Sequence, residues 1–154
     1  MVLVAALLAG VFIASHVAVV GRGFHNTDDW DHLEVASDVL AGREGAIRDL
    51  LIGSDVRLLR AAPRLLWVAE LAAYGLDARR YYVTNLLLSV CGVLGVFALT
   101  LRGGRVGGTP AGLLGASAAA LLFGLNPATQ QGVYYLSGRD DLVALAGVVW
   151  ACVV

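Results

Sequence analysis

The 154-residue chain is 58% hydrophobic and only 15% charged, with a mean hydropathy of +0.76. A soluble domain carries about a quarter charged residues, so this sequence is too poor in charge to cover a water-facing surface. The formal net charge of −1 supplies no basic stripe and argues against nucleic acid as a partner. The expectation is an all-α, polytopic helical membrane protein whose first partner is the lipid bilayer.

All eleven basic residues are Arg, which reads as the codon usage of a GC-rich, bacterial genome. Cys91 and Cys152 both lie in apolar runs and read as small buried hydrophobes, not as a disulfide or metal pair. The sequence has no CxxC, GxGxxG, P-loop or HExxH motif.

Residues 2–20 are apolar except for Ser15 and His16, and a spanning helix needs about 20 such residues. A cleaved signal peptide is the weaker reading, because no Lys/Arg n-region and no clean A-x-A site is present. Residues 21–80 hold eight Arg against ten Asp and Glu, with two of the three His. Within them Trp30, Leu33, Ser37 and Leu40 follow helical spacing, and Ile47, Leu50 and Leu51 form a shorter stripe. These segments read as amphipathic helices lying in the interface plane. The apolar part of 57–76 runs about 12 residues, contains Glu70, and is too short to span; it is placed at the surface.

Residues 81–101 read as a second spanning helix with Asp77 as its N-cap. A loop at 102–109 carries Arg102 and Arg105 and no acid. Thr109 then caps a third helix, 110–125, with Pro110 at its first position and many Gly, Ala and Ser. Residues 126–141 are polar, and 142–154 begin a fourth apolar helix of 13 residues. The whole reads as one incomplete domain, 1–154, the front part of a longer protein. Arg102 and Arg105 mark their loop as cytoplasmic, which puts 21–80 and 126–141 on the outer face of a cytoplasmic membrane.

That topology brings Asp28 and Asp29, just after the first helix, to the same side as Asp140 and Asp141, just before the fourth. Four carboxylates at helix mouths suit a membrane enzyme that binds a polar group on a lipid carrier. The bland alternative is capping: Thr27-Asp28-Asp29 opens a helix, and Ser137-Gly138-Arg139-Asp140 fits a capping box. His25, Asp28, Asp29, Asp31 and His32 form a dense cluster whose oxygen and imidazole groups suit a divalent cation, but their spacing matches no standard loop. His16 within the first helix reads as a neutral side chain bonded to a neighbouring helix. Arg57, Arg60 and Arg64 share one helical side and suit either phosphate or lipid headgroups.

Three stretches carry a family resemblance. They are Asn26-Thr27-Asp28-Asp29-Trp30-Asp31-His32-Leu33; Arg60 through Tyr74-Gly75-Leu76-Asp77 to Tyr81-Tyr82-Val83-Thr84-Asn85-Leu86-Leu87-Leu88; and Asn126-Pro127-Ala128-Thr129-Gln130-Gln131-Gly132-Val133 with Ser137-Gly138-Arg139-Asp140-Asp141-Leu142. In order and spacing they resemble the N-terminal part of the C-type glycosyltransferases (GT-C), more narrowly the protein O-mannosyltransferase-like membrane proteins, including the tetratricopeptide-bearing transmembrane branch and its bacterial relatives. Asp28, Asp29, Gly138, Arg139 and Asp141 match the family pattern. Asn126 and Thr129 stand where the family has His, Gln131 where it has Glu, and Ser89 where it has His; Arg60 and Pro63 stand apart where the family pairs Arg with Pro.

The resemblance implies transfer of a sugar from a polyprenyl-phosphate donor to a hydroxyl of an acceptor protein or glycan on the outer face. It implies Asp28 or Asp29 as the base that takes the hydroxyl proton. Arg60 and Arg139 would face the leaving phosphate, and Asp140 and Asp141 would orient the acceptor or help hold a divalent cation. The alternative is a non-catalytic membrane subunit or inactive fragment, favoured by the small-residue third helix and the substituted third stretch.

Overall fold

The computed structural model describes residues 1–25, 27–52, 61–104 and 109–154, and every regular element among them is helical. The elements are α1 (Val2–His16), extended by a 3₁₀ turn at Val17–Gly21, α2 (Thr27–Leu40), α3 (Ala46–Ile52), α4 (Ala61–Tyr74), α5 (Ala78–Gly103), α6 (Pro110–Gly124), α7 (Pro127–Tyr134), a 3₁₀ turn at Leu136–Gly138, and α8 (Arg139–Val153).

Helix α5 is the central post, packed against α1, α6 and α8. Its start follows from sequence as expected: the Asp77 carboxylate accepts the Arg79 backbone N–H. The expected cap of α6 also forms, with the Thr109 hydroxyl oxygen accepting from the Gly112 N–H and Pro110 in the first turn. Close approach of α8 to α5 depends on Gly95, where an added Cβ would lie 2.6 Å from Val149 Cγ1. Leu8, Phe12, Val93, Phe97, Ala116 and Ala120 fill the core between these helices.

Helices α2, α3 and α4 pack on one another, and α4 joins this group to α5. Tyr81 donates its hydroxyl to the Gly75 carbonyl (2.8 Å), and Tyr82 donates to the Gly23 carbonyl (3.2 Å). An aromatic cluster of Phe24, Trp67, Tyr74 and Tyr81 fills the space beneath, with edge-on and tilted rings 5.3–6.1 Å apart.

Two helical stretches are long and apolar enough to cross a membrane, Val2–Gly21 and Ala78–Gly103. The third expected crossing is different. Helix α6 has 15 residues, about 22 Å at the α-helical rise, against an apolar bilayer core of about 30 Å. It reaches spanning length only if joined to α7, and the two are bent by 57°. The bend falls at Asn126-Pro127: a residue before Pro is driven out of the α region, and Asn126 is extended, its side chain capping α7 at the Ala128 N–H. Helix α4, at 14 residues, is not among the stretches long and apolar enough to span. Helix α8 begins three residues before the expected 142, because Asp140 and Asp141 fit its first turn.

Several finer expectations are corrected. The buried face of α2 is Asp29, Leu33 and Ala36, while Trp30 and Leu40 are about half exposed. In α3 the inward residues are Ala46 and Leu50, and Ile47 and Leu51 face outward. Cys91 is half-buried, with the Trp150 indole N–H 3.1 Å from its sulfur; Cys152 is exposed, not buried, and both are free thiols. His16 is buried but bonds within its own helix, Nδ1 lying 2.9 Å from the Phe12 carbonyl.

Candidate functional site

An open cleft of about 740 Å³ lies between the α2–α4 group and the segment 131–141. Asp28, Asp31 and His32 reach it from α2, Asp49 from α3 and Arg64 from α4. Gln131, Gly132, Tyr135, Ser137, Gly138 and Asp141 form the opposite wall. Four carboxylates and one guanidinium make the lining net negative. A smaller cavity of about 240 Å³ lies between α6, α7 and α8, lined mainly by Phe123, Ala128, Leu142 and Leu145. The two cavities share Gly132 and Asp141 in their linings, so a polar cleft and an apolar groove lie next to each other.

The two acidic motifs are brought together across 108 residues of sequence. The Asp29 carboxylate accepts the Ser137 backbone N–H on Oδ1 at 3.0 Å, and the His25 backbone N–H on Oδ2 at 3.3 Å. This contact joins the start of α2 to the turn that launches α8. It also separates two neighbours that sequence left equivalent: Asp29 is 2% exposed, whereas Asp28 is exposed and lines the cleft. Helical geometry explains the split, since consecutive residues point about 100° apart and only one can share the buried face with Leu33 and Ala36.

The expected capping box at 137–140 is absent. Helix α8 has Gly138 at its N-cap and no side-chain cap bond. The Ser137 amide is instead given to Asp29, and the turn is drawn tight against α7. A Cβ on Gly138 would stand 3.0 Å from the Gly132 Cα and 3.3 Å from the Gln131 carbonyl oxygen, so any side chain there crowds the backbone of α7.

Arg139 does not line the cleft. It is fully buried and ion-paired through Nη1 to Glu70 of α4, while its Nε donates to the Leu136 carbonyl at 3.2 Å. Its guanidinium lies 4.2 Å from the centre of the Trp67 ring and 5.6 Å from that of Tyr81. Burial pushes the Glu70 carboxyl above its ordinary range, and the Arg139 charge and hydrogen bond pull the other way. Asp140 is half-buried beside it, and Asp141 is exposed in the cleft. Arg60, with Arg57, lies outside the described residues. Of that arginine group, Arg64 lines the cleft, one nitrogen donating to the Asp49 and Leu50 carbonyls at 3.1 and 3.3 Å.

The dense acid and histidine cluster does not converge. Among the described residues, no three His, Cys, Asp or Glu side chains group closely enough to hold a metal ion. Asp29 points inward, and His32 stacks on Trp67 with ring centres 5.3 Å apart.

Three contributors escaped sequence reasoning: Asp49 in the cleft wall, Glu70 as the partner of Arg139, and Asn85. The Asn85 side-chain N–H donates to the Gly132 carbonyl at 3.0 Å and the Tyr135 carbonyl at 3.4 Å, tying α7 to α5. Glu70 had a legible signal. It shares the spacing of Pro63 and Trp67, the buried stripe of α4, and a carboxylate on an apolar stripe demands a partner.

Comparison of the chain with protein-family models, with curated proteins and with solved structures finds no match.

Proposed function

We propose that this chain is a polytopic membrane protein that transfers a sugar from a polyprenyl-phosphate donor to an acceptor hydroxyl at the outer face of the membrane. The observation that carries the reading is the adjacency of the two cavities. A cleft that presents Asp28, Asp141 and Arg64 borders an apolar groove at Gly132 and Asp141, an arrangement suited to an amphiphile with a polar head and a hydrocarbon tail. The two stretches apolar enough to span a bilayer and the order of the sequence motifs support the same reading.

In this mechanism Asp28 takes the proton of the acceptor hydroxyl. The oxygen attacks the anomeric carbon, and the bond from that carbon to the phosphate oxygen breaks. Polyprenyl phosphate leaves with the electron pair. A positioned base is worth about 10²–10⁴ in rate. Arg64 replaces Arg139 as the cation for the leaving phosphate, because Arg139 is committed to Glu70. The carboxylates of Asp31, Asp49 and Asp141 suit acceptor hydroxyls, which donate hydrogen bonds to them.

A non-catalytic scaffold role draws on the same commitment of Arg139 to packing. The test that separates the two is a transfer assay on the full-length gene product in native membranes, with polyprenyl-phosphate mannose and polyprenyl-phosphate glucose as donors. Transfer by the wild type that falls by about 10² or more in Asp28→Asn, with membrane level unchanged, is the expected result. Transfer that is indifferent to Asp28→Asn refutes the assignment of the base.

A further inference from the structure

We infer that Asp29 is a positioning residue that clasps the two halves of the cleft together, and that it takes no proton in the reaction. Its activity arm rests on the sugar-transfer reading; its structural arm rests on geometry alone.

A general base must reach the proton it removes, at about 2.6–3.2 Å or through one water. Asp29 is 2% exposed and absent from the cleft lining, so a substrate there has no approach to it. Both of its oxygens already accept from backbone N–H donors, Ser137 on one side and His25 on the other.

What Asp29 does hold is the opposite wall. Ser137 and Gly138 line the cleft, and the next turn of chain carries Asp141 into it. The Asp29–Ser137 bond fixes that segment against the start of α2, where Asp28 stands. Asp29 thereby helps to set the register between the walls that carry Asp28 and Asp141. The Arg139–Leu136 bond holds the same turn from behind.

The deciding variant is Asp29→Asn, which keeps an oxygen for the Ser137 N–H, gives up the longer His25 bond and removes the basic carboxylate. A clasp predicts transfer within about tenfold of wild type, with the acid limb of the pH–rate profile unmoved, whereas a base predicts a loss of about 10²–10⁴. Asp29→Ala, which removes the acceptor altogether, is expected to lose transfer and to raise amide hydrogen exchange at 134–139 in membrane-reconstituted protein. An Asp29→Asn protein with abolished transfer and unchanged exchange at 134–139 overturns the proposal. So does an Asp29→Ala protein whose exchange there matches wild type. The exchange measurement stands even if no sugar transfer is found, so failure of the clasp and failure of the proposed activity are told apart.

Discussion

The Glu70–Arg139 pair offers the sharpest test of how the two halves of the molecule are joined. It connects α4 to α8, and both side chains are almost fully buried, at 4% and 0% exposed. Arg139→Met keeps an unbranched apolar side chain in the site but removes the guanidinium from the Trp67 and Tyr81 rings and leaves Glu70 without its cation. Breaking a buried pair from one side costs about 3–5 kcal/mol, because an uncompensated charge stays in a low-dielectric site. Replacing both partners, as Glu70→Gln with Arg139→Met, removes that charge and is expected to recover most of the loss. The pH dependence carries a definite sign. Burial already raises Glu70 above 4.5, and losing Arg139 removes the main influence that opposes the rise. A raised carboxyl stabilises the fold below its unfolded value and loses that contribution as pH climbs through its folded value. The Arg139→Met protein should therefore be most stable near pH 4–5, at about the unfolded pKa, and weaken toward pH 8, and the double variant should lose this slope. Reversible unfolding in mixed micelles, followed by tryptophan fluorescence across pH, measures both effects. A single-variant cost below about 1 kcal/mol, the range of exposed ion pairs, refutes the buried-clamp account.

Gly138→Ala should destabilise by about 1–3 kcal/mol, the cost of overpacking, since its Cβ meets backbone at Gly132 that cannot rotate away. Gly147→Ala in α8 meets nothing within 4 Å and should leave the unfolding midpoint unchanged, which makes the pair a matched control. Asn85→Ala should cost about 1–3 kcal/mol by stranding the Gly132 and Tyr135 carbonyls, seen as faster amide exchange throughout 131–136. Reporter fusions test membrane orientation: alkaline phosphatase joined after Leu40 should be active and after Gly104 inactive, with the reverse pattern refuting the orientation read from Arg102 and Arg105.

The fold was legible where one rule acted without competition. The lengths of the first and second apolar helices follow from their hydropathy, and the caps at Asp77 and Thr109 appear where side-chain chemistry demands them. The third helix ends within a residue of its expected bounds, because Pro127 drives Asn126 out of the α region; what hydropathy alone does not show is that 15 residues fall short of the bilayer's apolar core. On α2 the stripe was placed one residue off. Trp30 is the largest apolar residue there and drew the pattern toward itself, yet it sits at the rim against Phe24, and its helical neighbour Asp29 goes inside.

That displacement also explains why the site was half legible. Sequence brought the two acidic motifs to one side of the molecule but ranked their members by chemical type alone. An aspartate and an arginine that match a motif look like reacting groups. Yet Asp29 and Arg139 are among the most buried polar side chains of the fold, and each bonds to the 134–139 turn. Burial removes a group from substrate and simultaneously strengthens its grip on whatever it touches, because water no longer competes. The residues left in the cleft are their less conspicuous neighbours, Asp28 and Asp141, together with Asp49 and Arg64 from helices that the sequence marked only as interfacial. Helical geometry thus divides the labour of neighbours: Asp29 turns inward and holds Ser137 while Asp28 turns outward into the cleft, and at the second motif Arg139 is buried while Asp141 faces the cleft.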